Sequence, residues 1–270
     1  MDAAARLADS IARTEGLFLV VTGAGVSLAS GIPTFRGTDP GAVWKRDVTE
    51  LGTVRYFFED PAGSWTWYLA RFEKVLAARP NPAHFALAAL EAWQAARGRD
   101  FLLVTQNIDT LHEASGSKAL VKVHGSADRV RCSSEGCRLG APSGSIPRSA
   151  VDLAKFLADP RRESVPRCPE CGEFLRQHVL WFDEIYMGHR DYQWRRVLRA
   201  ADEAELVLFV GTSMAVGVTE QVLSCALERG VPVFCVDPGG APVSGTALLR
   251  EPAEMLLPAV CERLGAALTS

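Results

Sequence analysis

Four runs of apolar residues constrain what this chain can become: Leu17 to Thr22, Phe101 to Thr105, Leu206 to Gly211 and Val231 to Asp237. None alternates apolar with polar residues, so each reads as a strand buried on both faces, the pattern of a parallel sheet covered by helices. Helical patterns lie between the runs. Val218 to Arg229, stopped by Gly230, links two of them at the length of a βαβ crossover. The predicted fold class is therefore α/β, a doubly wound, Rossmann-like parallel sheet with a smaller metal-binding and helical module.

Two segments fall outside the alternation. Residues 39–99 are helical and aromatic-rich, with Trp65, Trp67, Tyr68 and Phe72 on one stretch and His84 to Ala96 on another. Residues 127–177 are polar and loop-like, broken by Pro142, Gly144, Pro147, Pro160 and Pro166. The expected organisation is a Rossmann-like domain from residues 1–38, 100–126 and 178–270, with the helical insertion 39–99 and the module 127–177 forming a small domain. Such a polar module has too few apolar residues to order itself and calls for a staple.

Four cysteines in the module have the spacing for one. Cys132 and Cys137 are separated by four residues, and Cys168 and Cys171 by two, in Arg-Cys-Pro-Glu-Cys-Gly. Two such pairs supply four thiolates for one tetrahedral zinc ion, and a closed set of four leaves no position for substrate, so the metal is expected to be structural. Four unrelated thiols or a redox pair are the alternatives, although a thioredoxin-like pair would open a helix after a strand. The other three cysteines, Cys225, Cys235 and Cys261, lie in apolar surroundings and read as core.

Composition narrows the partners. With 48% hydrophobic and 23% charged residues the chain can bury a sizeable core, and its net charge of −3 includes no basic stripe for a phosphate backbone, so direct nucleic-acid binding is not expected. No apolar run approaches the roughly 20 residues of a spanning helix. The first thirteen residues read as an amphipathic helix rather than a signal peptide, so a cytoplasmic location and no membrane partner are expected.

Polar or glycine-rich residues close the strand runs. Gly23-Ala24-Gly25-Val26-Ser27 follows the first, and Ser27 to Ser30 could open a helix facing a pyrophosphate. The full dinucleotide fingerprint is missing: Leu28 holds the third glycine position, and no acid ends a second strand about 20 residues on. Gln106-Asn107-Ile108-Asp109, Gly211-Thr212-Ser213 and Asp237 end the other runs and should converge with the glycine turn on one crevice, with Asp237 placed to accept from a ribose diol. His124 follows the short run Leu120 to Val123 and can act as a general base or as a structural residue. His112 reads as scaffold, and His84, His178 and His189 belong to no recognisable constellation.

With these residues assembled, the chain resembles the sirtuins, NAD-dependent protein-lysine deacylases. The resemblance rests on the glycine turn with Gly31-Ile32-Pro33-Thr34-Phe35-Arg36-Gly37, on Thr105-Gln106-Asn107-Ile108-Asp109 with Leu111-His112, on His124-Gly125-Ser126, on Gly211-Thr212-Ser213 and on the cysteine pairs, across roughly residues 15 to 260. It implies that NAD is consumed, the acyl group passing from lysine to ADP-ribose with release of nicotinamide, and that acyl-lysine proteins or peptides are the substrates.

By the same resemblance, Gly23, Ala24, Gly25 and Ser27 meet the pyrophosphate, while Ile32, Pro33, Phe35, Arg36 and Trp44 lie along the loop over NAD. Gln106, Asn107, Ile108 and Asp109 line the nicotinamide and ribose pocket, Gly211, Thr212, Ser213 and Asp237 complete the nucleotide site, and His124 and Asn107 are catalytic. Leu180, Trp181 and Phe182 would meet the substrate. Tyr68 and Arg71, three apart on a helix, are similar to the Tyr-X-X-Arg pair of acidic-acyl sirtuins, where Arg can grip a succinyl or malonyl carboxylate; Gly52 leaves room nearby. A solvated Arg71 and a packing Tyr68 are the alternative.

The chain departs from the family where Phe-Gly-Glu is usual, reading Trp181-Phe182-Asp183-Glu184, and in carrying Asp237 for a ribose-binding asparagine. An ADP-ribosyltransferase, an NAD hydrolase and a non-enzymatic NAD-sensing module are the competing readings.

Overall fold

A computed structural model describes residues 2–33, 47–214 and 217–268; Phe35, Arg36 and Trp44 lie outside them. The strands are β1 (Leu17–Thr22), β2 (Phe101–Thr105), β3 (Leu120–Lys122), β4 (Gly125–Cys132), β5 (Ile146–Pro147), β6 (Leu175–Val179), β7 (Ala204–Val210), β8 (Val233–Val236) and β9 (Ala247–Leu249). The helices are α1 (Ala3–Arg13), α2 (Asp47–Leu51), α3 (Val54–Glu59), α4 (Pro61–Ala77), α5 (Pro82–Ala95), α6 (Leu111–Ala114), α7 (Ala154–Ala158), α8 (Trp194–Glu203), α9 (Gly217–Glu228) and α10 (Ala253–Leu264).

Six strands form one parallel sheet in the order β3-β2-β1-β7-β8-β9. Alternate residues serve its two faces. Phe18, Val20, Leu103 and Leu208 pack with α1, α5 and α10, whereas Leu19, Val21, Val104 and Phe209 pack with α8 and α9. This two-sided burial is why the strand runs contain no polar alternation. The strand order reverses between β1 and β7, so their carboxyl ends form the switch point where an open α/β sheet binds its ligands.

The three-stranded sheet β5-β4-β6 is antiparallel and lies in the segment read as loop-like. It has apolar support after all. Val130, Phe156, Val165, Phe174 and Leu175 share a cluster with Phe57, Trp65 and Phe72 of α3 and α4, and Trp65 Nε1 donates to Leu175 O at 2.8 Å. The module thus borrows its core from the helical insertion, which is invisible while each segment is read alone.

Local chemistry sets the insertion's helix starts. Asp60 accepts from Gly63 N ahead of Pro61, and Asn81 accepts from Ala83 N ahead of Pro82. Each is a capping side chain followed by a proline whose missing N–H costs nothing at the first helical position. Among the described residues no helix is long and apolar enough to cross a membrane.

Candidate functional site

The glycine turn leaves β1 and enters a seven-residue 3₁₀ helix, Ala24–Ser30, which contains the Ser27 to Ser30 stretch expected to open a helix. Its glycines answer first to a neighbouring backbone. Gly25 N donates to Gly211 O at 2.9 Å, and a Cβ on Gly25 would stand 2.6 Å from Gly211 Cα. Gly211 itself has φ +58°, a conformation that favours glycine. The turns ending β1 and β7 can therefore interlock only without side chains.

Three buried polar residues join beneath this contact. Ser27 Oγ donates to Asp109 Oδ2 at 2.9 Å, and Asn107 Nδ2 donates to Ser27 Oγ at 3.0 Å and to Gly23 O at 3.1 Å. Gln106 Nε2 donates to Thr212 Oγ1 at 3.0 Å, tying the end of β2 to the end of β7. Ala24, Ser27, Asn107, Ile108 and Asp109 line a cavity with an empty volume of about 750 Å³, mouth included, together with Ile32, Pro33 and Arg71. Its few convergent polar groups sit among apolar walls, as they do in small-molecule sites.

His124 stands just beyond β3. Its Nδ1 is 2.8 Å from Gln106 O, which can only accept, so Nδ1 carries the proton and the Nε2 lone pair faces the Tyr186 hydroxyl at 3.3 Å. Desolvation pushes its pKa down to about 4, against a raising contribution from the Gln106 carbonyl. The imidazole is consequently neutral near pH 7 and able to take a proton. Tyr186, stacked on Trp194 at 4.2 Å, was not singled out by the sequence; nothing in its local pattern marks it.

The remaining candidates are placed as follows. Leu180 N donates to His124 O, Trp181 is buried, and Phe182 is exposed with its N–H on Gly52 O. Asp183 accepts from Val54 N at 2.8 Å and Arg55 N at 3.3 Å, so the charge that departs from Phe-Gly-Glu caps α3. Asp237, half-buried at the end of β8, accepts from Gly239 N at 3.0 Å, and Ser213 is exposed beyond Gly211.

The structure separates Tyr68 from Arg71. Arg71 is one of the residues lining the cavity, its guanidinium 3.9 Å over the Trp67 ring, but Tyr68 is buried, stacked on Trp181 at 6.3 Å, and is not among the lining residues. His112 is buried with Nε2 3.1 Å from Thr22 Oγ1, a scaffold contact.

All four module cysteines converge. Cys132 and Cys171 sulfurs are 3.4 Å apart and Cys137 and Cys168 sulfurs 3.7 Å, near the roughly 3.8 Å edge of a tetrahedron with metal–sulfur bonds of about 2.3 Å. Burial pushes the Cys132 thiol up, so a cation is what would make this set of thiolates stable together.

The Sir2 family profile matches residues 23–218. A protein of Thermus thermophilus named NAD-dependent protein deacylase is 38% identical over 231 residues, covering 85% of this chain and 82% of that one. NAD-dependent protein deacylase 1 of Pseudomonas aeruginosa is 41% identical over 221 residues, 82% of each. A crystal structure of a Sir2 homologue in complex with NAD superposes with a TM-score of 0.78 at 33% identity, covering 98% of this chain and 95% of that one.

Proposed function

The chain belongs to the Sir2 family, and on that premise we propose that this NAD-dependent protein deacylase removes acyl groups from lysine, acidic ones included, in the crevice at the β1–β7 switch point. The observation that carries the reading is His124: neutral, its Nδ1 proton held by the carbonyl of Gln106, the residue before the cavity-lining Asn107, so that Nε2 is left with a lone pair to take a proton.

Bound NAD supplies an activated ribose carbon to receive the acyl oxygen and ribose hydroxyls to resolve the product. The residues present fit it: Ser27, Asn107 and Asp109 offer buried polar groups at the wall of a cavity that Ala24, Ile32 and Pro33 also line. Gly23, Ala24, Gly25, Gly211, Thr212, Ser213 and Asp237 hold the nucleotide end. Asn107 and Asp109 orient the nicotinamide ribose, and Ile32, Pro33 and Ile108 keep water from it. Phe35, Arg36 and Trp44 remain assigned to the covering loop by resemblance.

His124 Nε2 takes the proton of a ribose hydroxyl. A neutral imidazole within reach of a hydroxyl is worth typically 10²–10⁴-fold in rate. Leu180, Trp181 and Phe182 follow β6 and are assigned to the substrate side, with Leu180 N on His124 O. The cysteine set holds one structural zinc. Arg71 is among the residues that line the cavity, which supports recognition of a succinyl or malonyl carboxylate by Arg71, with Tyr68 acting through Trp181 rather than by direct contact.

Nicotinamide release from NAD, measured without peptide, with acetyl-lysine peptide and with succinyl-lysine peptide, tests this. Release that requires acyl peptide is expected. Release without peptide would instead mark NAD hydrolysis or ADP-ribosyl transfer. Arg71→Met should lower succinyl-peptide turnover about tenfold or more, the worth of one charge-assisted hydrogen bond, and leave acetyl-peptide turnover nearly unchanged.

A further inference from the structure

His178, next to last in β6, is almost completely buried; its Nδ1 has no hydrogen-bond partner and its Nε2 faces the Asp191 carboxylate. Its Nε2 lies 3.1 Å from Asp191 Oδ2, and His189 Nδ1 lies 3.7 Å from the same oxygen. The two imidazoles sit edge to face with centroids 4.5 Å apart. The three ligand atoms all fall within 4.8 Å of one another. We propose that His178, His189 and Asp191 form a second divalent transition-metal site, distinct from the four cysteines, with an open position toward solvent.

The distances suit a metal. Bonds of about 2.0–2.2 Å to nitrogen and oxygen in a tetrahedron set ligand atoms roughly 3.4 Å apart, between the 3.1 and 3.7 Å observed. Two imidazoles and one carboxylate are the donor set that zinc, cobalt and iron(II) accept with positions left open. The half-exposed Asp191 puts that opening at the surface.

The surroundings hold the ligands in place, with one hydrogen bond, from the Asp191 amide to His189 Nδ1, that a bound cation would replace. His189 Nε2 donates to Gly144 O at 3.2 Å, which fixes the proton on Nε2 and leaves the Nδ1 lone pair on the side of Asp191, where the Asp191 amide now meets it at 3.2 Å. Ser145 Oγ donates to Asp191 Oδ2 at 3.1 Å and is itself held by Arg129 Nε at 2.9 Å. A ligating histidine with its second nitrogen on a carbonyl, and a ligating carboxylate held by a hydroxyl, are the usual outer partners of a bound metal. The nearby Arg131 guanidinium, which opposes a cation, is engaged by Glu184 at 2.6 Å and by the Tyr192 hydroxyl at 3.0 Å.

The site would also be a brace. Its ligands come from β6 and from the segment 189–191, and its outer partners Gly144 and Ser145 come from the cysteine module, with Arg190 N on Pro142 O at 2.8 Å alongside. A cation here therefore ties the module's loop to the segment that follows the catalytic crevice.

The test is a titration of the zinc-loaded full chain with Co²⁺, without a histidine tag, followed by optical absorption and metal counting. One added equivalent giving d–d bands without thiolate-to-cobalt charge transfer is expected. Asp191→Asn, a near-isosteric change at a half-exposed residue, should weaken this equivalent at least about tenfold while the zinc in the cysteine set stays. No second equivalent in the wild type, charge-transfer bands showing that cobalt has only displaced zinc, or undiminished binding in Asp191→Asn would each overturn the proposal.

Discussion

In the six-stranded sheet, β1, β2, β7 and β8 each pair on both edges and are buried on both faces; in the three-stranded sheet only β4 has two neighbours, and β5 is two residues long. The first is held by its own apolar strands, so its turns are free to carry polar groups at the switch point. The second packs on side chains lent by α3 and α4 and has four sulfurs gathered at one end. Chemistry is thereby placed at the end of the stiffer element, which can hold Asn107, Asp109 and His124 in register without a metal.

The largest effect should come from the stiff region's chemistry alone. His124→Ala is expected to lower deacylation by roughly 10²–10⁴-fold with an unchanged unfolding midpoint, measured by nicotinamide release and circular dichroism. A comparable loss of stability would mean that His124 is packing rather than chemistry.

Next in size is the response of the small sheet to metal removal. A chelator with reductant, or Cys168→Ser, should open residues 132–140 and 166–174 to hydrogen exchange while β1, β2 and β7 stay protected. Uniform loss of protection would show that the two sheets unfold as one unit. Equal protection with and without metal would show that the borrowed apolar core suffices.

Gly25→Ala probes the stiff region from within. A Cβ 2.6 Å from Gly211 Cα must push two backbones apart, so a loss of about 1–3 kcal/mol is expected in urea unfolding, together with weaker NAD binding.

The smallest effect is on acid stability. Burial pushes His84 down to about 4 and His112 well below its ordinary value. The unfolded chain takes up protons at these residues below about pH 6.5 while the native one does not. Stability should be complete above that pH and fall as the pH drops toward 4. A flat midpoint across that window would contradict it. His124, also near 4, should stay largely neutral until the pH approaches that value.

How much was legible varied with the distance over which residues act. The strands β1 and β2 were readable to the residue, because two-sided burial writes itself as an unbroken apolar run. The cysteine pairs were readable because metal geometry constrains spacing within each pair. Asp183 was not: it looks like a misplaced charge until α3 is seen to begin above it, 129 residues away in sequence from Val54. Residues 127–177 looked unable to pack because their partners, Phe57, Trp65 and Phe72, belong to another segment. His178, His189 and Asp191 were three unremarkable residues until β6 and the following segment folded over each other.

By itself the sequence determined the parallel sheet, the small-residue turns that end its strands, the cysteine staple and, through motifs spread over the chain, the family. These are written in side-chain periodicity and short spacings, which act through neighbouring residues. Only the tertiary structure decided that Gly25 meets Gly211, that Ser27 joins Asn107 to Asp109 across 80 and 82 residues, and that Arg71, but not Tyr68, borders the cavity. Such contacts depend on which strands lie side by side and how closely their ends approach, and that is set by the packing of the whole sheet.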